Sequence, residues 1–268
     1  MTLTATGVSR VFDDTPILKD VSLTVEPGEV LTIVGPSGTG KTTLLRTLAC
    51  FEPPDAGTIH WHDTDCWGAS KADRLAVRRR MSMVFQEPSL FNASVRRNVT
   101  YGVRVRRQWR ERARHFVRDL TGGSSTPESV RRALETVGLE DAADRNARSL
   151  SGGEAQRVAF ARAVAVDPAV MFLDEPTSNL DPRNTAVIEA AIDRACDRGV
   201  GVLVATHDLH QAERVSDRVG FLFDGELVEL TDPATFFDDP DDPRTARFVH
   251  GELVYAEGDD DLARAARR

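Results

Sequence analysis

Short apolar runs predict the central strands of the fold. Residues 30–34, 170–173 and 200–205 are almost free of polar side chains, as expected of strands that are covered on both faces. A helical pattern lies between them, for instance over residues 185–196. Buried strands that alternate with helices predict an α/β fold whose core is a mostly parallel sheet.

Alternating side chains predict a second sheet near the N-terminus. Val21, Leu23 and Val25 point to one side before the turn at residues 26–29. Residues 57–62 have the pattern of an antiparallel strand that is distinct from the central runs. We therefore expect an N-terminal antiparallel β subdomain beside the α/β core.

The middle third of the chain predicts helices. Apolar residues recur every three or four positions from Val105 to Leu120, and arginines occupy much of the remaining surface. A break at residues 121–127 precedes a second helix, which should begin near Pro127. We expect a helical subdomain inserted over about residues 87–165. The arginines could face anionic lipid headgroups, or they could simply remain solvated.

Composition and charge exclude several classes of protein. The chain has 268 residues, of which 41% are hydrophobic and 28% charged, so it can bury a sizeable core and is not disordered throughout. Its net charge of −8 argues against a nucleic-acid partner. No run of eighteen apolar residues predicts a membrane span, and the N-terminus does not resemble a signal peptide. Three scattered cysteines fit a reducing compartment better than a disulfide framework.

A glycine-rich segment after the first buried run predicts phosphate binding. Its glycines let backbone N–H groups turn inward toward a triphosphate, and the following helix adds positive potential at its N-terminus. Lys41 would contact the β- and γ-phosphates, and the Thr42 hydroxyl would bind Mg²⁺. The residues expected to hold the nucleotide here are Gly35, Pro36, Ser37, Gly38, Thr39, Gly40, Lys41, Thr42 and Thr43.

Two carboxylates follow the second buried run. Asp174 and Glu175 end that strand, and ligands of open α/β sheets bind at the carboxyl ends of strands. Taken alone, the pair is explained equally well by a helix cap before Pro176. With a phosphate loop upstream, Asp174 is expected to hold Mg²⁺ and Glu175 to act as the general base toward water.

Several short motifs resemble one known family. Residues 150–157, with the sequence LSGGEAQR, resemble the signature motif of ABC-transporter ATPases, and they precede Asp174 as in that family. Phe12, Gln86, Asp181 and His207 are similar in order and context to the family's adenine-stacking aromatic, Q-loop, D-loop and switch histidine. The resemblance covers about residues 3–250 and implies one ABC ATPase domain over residues 1–250, followed by a short tail at 251–268.

The resemblance implies a site for ATP and Mg²⁺. Phe12 would stack on the adenine, and His207 would reach the γ-phosphate as a catalytic residue. Thr42, Asp174 and Gln86 would hold Mg²⁺, with Gln86 also taking part in catalysis.

The resemblance also implies partners. In this family two copies of the ATPase close head to tail on ATP. Nucleotide binding across the pair would involve Ser151, Gly152, Gly153, Glu154 and Asp181. Integral permease subunits would hold the pair at the cytoplasmic face of the membrane. An extracytoplasmic solute-binding protein would deliver the substrate.

The transported substrate is the least constrained part of the prediction. Residues 85–99 and 101–104 are similar to those of oxyanion importers of the tungstate and phosphate type. Three alternatives stay open. The chain could serve a polar amino-acid importer, it could serve an exporter or lipoprotein-releasing system, or it could be a soluble ABC ATPase acting on DNA or ribosomes.

Overall fold

A computed structural model describes residues 2–106 and 126–252. In chain order its elements are β1 (Leu3–Phe12), β2 (Thr15–Val25), β3 (Val30–Val34), α1 (Lys41–Leu48), β4 (Ala56–Trp61), β5 (Thr64–Asp65), α2 (Lys71–Arg78), β6 (Met81–Val84), α3 (Val95–Arg106), α4 (Glu128–Thr136), a 3₁₀ turn (Ala147–Ser149), α5 (Gly152–Val164), β7 (Val170–Asp174), α6 (Pro182–Cys196), β8 (Gly201–Thr206), α7 (Leu209–Val215), β9 (Arg218–Phe223), β10 (Glu226–Thr231), α8 (Pro233–Asp238) and α9 (Pro243–Val249).

The smaller sheet is antiparallel, as the N-terminal alternation predicts. Its strand order is β2-β1-β4-β5, and Leu3 of β1 is opposite Val25 on one side and Trp61 on the other. Residues 57–62, expected to be a strand, form most of β4. This sheet therefore matches the expected antiparallel β subdomain.

The larger sheet has the strand order β10-β9-β3-β8-β7-β6. Strands β9, β3, β8, β7 and β6 run parallel to their neighbours, and only β10 pairs antiparallel, with β9. The three apolar runs became β3, β7 and β8, whose residues are all buried. Because parallel strands end at the same edge, the residues that follow β3, β6, β7 and β8 are brought together there.

Both faces of the larger sheet carry a hydrophobic core. Along β7, Val170 and Phe172 pack into the core shared with α1 and the antiparallel sheet. Met171 and Leu173 pack into the opposite core, which is shared with the helices α4, α5 and α6. This alternation explains why the run has no polar side chain: each face of the strand meets an apolar layer.

Three helices pack together beside the parallel sheet. Helix α5 contacts α3 and α4, and their buried side chains, such as Val99, Val130 and Phe160, belong to one core. Helix α4 begins as predicted, with Pro127 at its N-cap and Glu128 in the first turn. The arginine-rich stretch lies largely outside the described residues, because residues 107–125 are among those not described, and so does the tail from residue 253 onward.

Two helices begin earlier than the sequence pattern suggests. Helix α1 starts at Lys41, directly after Gly40, whose φ of 99° ends the preceding loop. Helix α6 starts at Pro182, because the Asp181 carboxylate accepts hydrogen bonds from the next backbone N–H groups.

No helix within residues 2–106 and 126–252 is long and apolar enough to cross a membrane. Cys50, Cys66 and Cys196 are all free thiols.

Candidate functional site

The predicted phosphate loop joins the end of β3 to α1. Lys41, only 7% exposed, turns back so that its Nζ donates to the carbonyls of Gly35, at 2.6 Å, and Pro36, at 2.9 Å. The Thr39 hydroxyl also donates to the Pro36 carbonyl, at 3.0 Å. The lysine ammonium is therefore held by two backbone carbonyls at the start of the loop.

Neighbouring strands fix the shape of this loop. A side chain on Gly35 would meet the carbonyl oxygen of Leu222 in β9 at 2.2 Å, which leaves no room for any other residue. A side chain on Gly40 would meet the carbonyl oxygen of Ile17 in β2 at 2.8 Å. The loop is therefore braced by both sheets, and glycine is required by close backbone approach at each end.

A carboxylate and a hydroxyl face each other beside the loop. The Thr42 hydroxyl donates to Asp174 Oδ1 at 3.1 Å, which joins the first turn of α1 to the end of β7. Burial raises the pKa of the Asp174 carboxyl, against the opposing effect of this hydrogen bond. Burial lowers the pKa of Lys41, and the nearby carboxylates Glu175 and Asp174 act in the opposite direction. The site thus concentrates desolvated charge of both signs at the end of one strand.

Glu175 and His207 meet across the sheet edge. His207 Nδ1 lies 2.9 Å from both carboxylate oxygens of Glu175, which joins the residues that follow β7 and β8. The backbone of Glu175 has a φ of 48°, an uncommon conformation for a residue other than glycine. Its N–H donates to the Ala205 carbonyl at 2.8 Å, and the Ser178 hydroxyl donates to its carbonyl at 3.0 Å. These bonds hold the side chain in a defined direction.

The donor groups at this edge fit Mg²⁺ that is shared with a phosphate ligand. Thr42 and Asp174 supply one hydroxyl and one carboxylate. Among residues 2–106 and 126–252 there is no group of three His, Cys, Asp or Glu side chains that could hold a metal by itself. Magnesium is commonly bound through one or two protein oxygens together with substrate phosphates, so this sparse set suits it when nucleotide is present.

Two further predicted site residues are exposed. Phe12 ends β1 with 67% of its surface accessible, which leaves a ring face open to a base. Gln86 follows the end of β6 by two residues and is also exposed. Because β6 pairs in parallel with β7, Gln86 lies at the same sheet edge as Asp174.

The signature segment forms a helix N-terminus of its own. Ser151 is the N-cap of α5, and it exchanges hydrogen bonds with Glu154 in a capping box. Ser151 and Gly152 are exposed, and a side chain on Gly153 would meet the amide of Asn184 at 2.4 Å. In the described part of the chain, no hydrogen bond or ion pair joins Ser151–Glu154 to the phosphate loop. The chain's own signature segment therefore does not complete its own phosphate site.

Asp181 is also an N-cap, at the start of α6. Its carboxylate accepts from the backbone N–H groups of Arg183 and Asn184, each at 3.0 Å. The hydrogen bonds from Asn184 lower the pKa of Asp181. Asn184 thus lies between Asp181 and Gly153, and it places the D-loop next to the signature segment of the same chain.

A separate groove lies between α2, β6 and α3. Its volume is about 450 Å³. We call it the arginine-rimmed groove, because among the described residues its lining carries four arginines, Arg78, Arg79, Arg106 and Arg162, and no carboxylate. Eight large apolar side chains are exposed among the described residues, and six of them line this groove. These six are Phe51, Leu75, Phe85, Phe91, Tyr101 and Val105.

Sequence reasoning missed two residues that shape the signature segment. Arg145 Nη1 donates to Glu154 Oε1 at 2.7 Å, and Asn184 packs against Gly153. The capping box itself has a sequence signal, a serine followed three residues later by a glutamate. Neither Arg145 nor Asn184 has one, because each reaches the segment through the fold and not through spacing along a helix.

Comparison with known proteins places this geometry in a family. The family model described as ABC transporter matches residues 18–178, more than half of the chain. The Phosphate import ATP-binding protein PstB 2 of Natronomonas pharaonis is 58% identical over 253 residues, covering 94% of this chain and 88% of the relative. A Probable anion import ATP-binding protein of Haloferax volcanii is 55% identical with the same coverage.

A solved structure agrees with these relatives. The dimeric structure of MJ0796, a bacterial ABC transporter cassette, superposes with a TM-score of 0.73 at 27% identity, covering 86% of this chain and 98% of the other. The chain therefore belongs to the ABC transporter family, as an ATPase that uses ATP with Mg²⁺.

Proposed function

We propose that this chain is the ATPase subunit of an importer for an inorganic oxyanion such as phosphate or tungstate. The observation that carries the catalytic part is the contact between His207 and Glu175, 2.9 Å apart at the edge where Asp174 and Thr42 also meet. The identity of 58% and 55% to relatives named for phosphate and anion import supports the substrate class.

Binding of ATP begins at the phosphate loop. Lys41 and the backbone N–H groups of residues 37–42 would neutralise the triphosphate, and Phe12 offers a ring face to the adenine. Mg²⁺, held by Thr42, Asp174 and Gln86, would neutralise charge that develops on the phosphates. The loop needs little rearrangement, because Leu222 and Ile17 already fix its two ends.

Hydrolysis depends on Glu175. An ionised Glu175 accepts a proton from the attacking water. The contact between its carboxylate and His207 Nδ1 keeps the carboxylate oriented. With Nδ1 donating to Glu175, the second ring nitrogen of His207 can donate to the γ-phosphate when the ring carries both protons, as an imidazolium. In this arrangement Glu175 is the base and His207 both orients it and senses the phosphate.

A second copy completes each site. Ser151 and the N-terminus of α5 are exposed and make no described hydrogen bond to the chain's own phosphate loop, so they are free to meet the γ-phosphate held by a partner copy. The dimeric state of the related cassette supports this pairing. ATP then closes the pair, and hydrolysis lets it open.

The arginine-rimmed groove is the proposed docking site for the permease. A short helix with an apolar face and a carboxylate would cover its exposed apolar side chains and meet its four arginines. Phe85 in this groove immediately precedes Gln86, so an occupant touches the segment that leads to the nucleotide. The permease would hold the pair at the cytoplasmic face of the membrane, with an extracytoplasmic solute-binding protein supplying the substrate.

Reconstitution tests the whole proposal. The chain, its permease subunits and their solute-binding protein are placed in proteoliposomes, and uptake of labelled phosphate, tungstate and glutamate is measured with internal ATP. We expect oxyanion uptake that needs ATP and is lost with Glu175→Gln. Uptake of glutamate alone would reassign the system to amino acids. Co-sedimentation of the chain with ribosomes and not with permease-containing membranes would favour the soluble class.

A further inference from the structure

The segment that leaves the arginine-rimmed groove is held by a buried asparagine. Asn98 is fully buried, and its amide oxygen accepts from the N–H of Phe91 at 2.8 Å. Its Nδ2 donates to the carbonyls of Phe91 and Ser94, each at 3.1 Å. Residues 91–94 therefore form a stiff turn that begins with a groove-lining ring and ends at the start of α3.

This turn is hydrogen-bonded to the segment that precedes the signature. The N–H of Ala147 donates to the carbonyl of Ala93 at 2.9 Å, and the N–H of Val95 donates to the carbonyl of Arg145 at 2.9 Å. Ser94 and Asn146 form an isolated antiparallel bridge between the same segments. Residues 93–95 and 145–147 are thus paired as short strands are, although they lie about fifty positions apart in the chain.

The Arg145 side chain extends this pairing to the signature serine. Its Nη1 donates to Glu154 Oε1 at 2.7 Å, and its Nη2 donates to the carbonyl of Ser149 at 3.1 Å. The other oxygen of Glu154 accepts from the N–H of Ser151 at 2.9 Å. One guanidinium therefore spans the segment from Ser149 to Glu154, and the carboxylate that caps Ser151 is fixed from both sides.

We propose that Arg145 is a positioning residue for ATP-driven closure of the pair, which fixes Ser151 relative to the groove segment at residues 91–94. This role rests on the proposed head-to-tail pair, in which Ser151 meets the nucleotide of the partner copy. Arg145 does not touch that nucleotide; it acts through Glu154 and the Ser149 carbonyl. A group that stabilises charge on a phosphate works only when its position is set beforehand, and this hydrogen-bonded path sets it.

The exposure of Arg145 separates positioning from simple stability. Its side chain is 46% exposed and that of Glu154 22%, so the ion pair should contribute little to the free energy of unfolding. Arg145→Ala should consequently leave the thermal midpoint and the affinity of the monomer for ATP unchanged. What it should change is the ATP concentration needed to close the pair.

The experiment uses the Glu175→Gln chain, in which ATP-bound pairs are expected to accumulate. Pair formation is followed by size-exclusion chromatography with light scattering over a range of ATP concentrations with Mg²⁺. Arg145→Ala should raise the half-maximal ATP concentration roughly tenfold, the effect of one lost charge-assisted hydrogen bond. Arg145→Lys can serve only one of the two acceptors, so its half-maximal ATP concentration should lie between those of the parent and of Arg145→Ala. The matched control is Arg96→Ala, which breaks the adjacent ion pair with Asp144, 2.7 Å long, and should behave as the parent.

A double-mutant cycle with Glu154→Gln tests the path. Glutamine can still accept from the Ser151 N–H but no longer pairs with a charge, so adding Arg145→Ala to it should have a smaller effect than Arg145→Ala has alone, because mainly the bond to the Ser149 carbonyl is then left to lose. Fully additive effects of the two substitutions would overturn the role of Arg145. So would an Arg145→Ala chain that pairs at the same ATP concentration as the parent, or one whose monomer binds ATP more weakly. If the Glu175→Gln parent itself never pairs, the head-to-tail arrangement fails, and the role of Arg145 fails with it.

Discussion

His207 Nδ1 lies 2.9 Å from both carboxylate oxygens of Glu175, although the two residues are 32 positions apart in the chain. The contact exists because β7 and β8 are parallel neighbours, with Asp174 opposite Ala205 at their ends. A ring nitrogen that lies between two oxygens restrains the rotation of the carboxylate. The base and the residue proposed to sense the phosphate therefore form one unit.

Glu175→Gln should stop hydrolysis without preventing ATP binding. Glutamine keeps the shape and a contact with His207 but cannot take a proton from water, so the rate should fall by about 10²–10⁴. Because one negative charge near the γ-phosphate is removed, the ATP-bound pair should also accumulate. Phosphate release and size-exclusion chromatography measure the two effects. Wild-type hydrolysis by this variant would move the search for the base to His207.

Asp174→Asn should behave differently from Glu175→Gln. The change removes the carboxylate that faces Thr42 at 3.1 Å, so binding of Mg²⁺ should weaken and pairs should fail to accumulate. Titration of Mg²⁺ at fixed ATP, with pair formation as the readout, distinguishes the two variants. An Asp174→Asn chain that pairs at the same Mg²⁺ concentration as Glu175→Gln would contradict the metal-binding role.

Lys41→Ala should lose nucleotide binding. The Lys41 ammonium is the cation that the loop holds, and it donates to the carbonyls of Gly35 and Pro36. Without it, the backbone N–H groups alone would leave part of the negative charge of the phosphates unneutralised. Equilibrium binding of a fluorescent ATP analogue measures the loss. Lys71→Ala is the matched control, because Lys71 is exposed at the start of α2. ATP affinity equal to that of the control would count against the phosphate loop.

Phe12 should contribute to affinity through stacking alone. Its ring is 67% exposed, so Phe12→Ala should leave the thermal midpoint nearly unchanged while weakening ATP binding by about 1–3 kcal/mol. Phe12→Trp, which keeps a ring face, should retain the affinity. Isothermal titration with ATP and with inorganic triphosphate separates base binding from phosphate binding. Equal losses for both ligands would show that Phe12 acts on the loop and not on the base.

Val105→Asn should weaken permease association without affecting ATP hydrolysis by the isolated chain. Val105 is 50% exposed in the arginine-rimmed groove, and an amide buried there by a docking helix would lack a partner. Val11→Asn is a matched control, since Val11 is 44% exposed and lies outside the groove. Co-purification with the permease subunits is the measurement. Equal retention of both variants would place the docking surface elsewhere.

The sequence predicted those parts of the site that are written as contiguous motifs. Lys41 and Thr42 lie in one loop between a strand and a helix, and Asp174 and Glu175 end an apolar run, so local patterns locate them. Local patterns do not predict features that depend on how distant segments pack. These are the strand order, the contact between Glu175 and His207, and the hydrogen bond from Arg145 to Glu154. Local patterns do not predict the groove for the same reason, because its six apolar residues come from four separate segments of the chain.

The positive φ of Glu175 implies a trade-off between folding stability and turnover. A residue with a Cβ atom pays about 1–2 kcal/mol to adopt left-handed backbone geometry, and glycine does not. Glu175→Gly should therefore unfold at a higher temperature than Glu175→Ala, with both inactive, and the difference reports the energy stored at this position. Selection for a carboxylate at the end of β7 thus keeps the chain below the stability that its own backbone would allow.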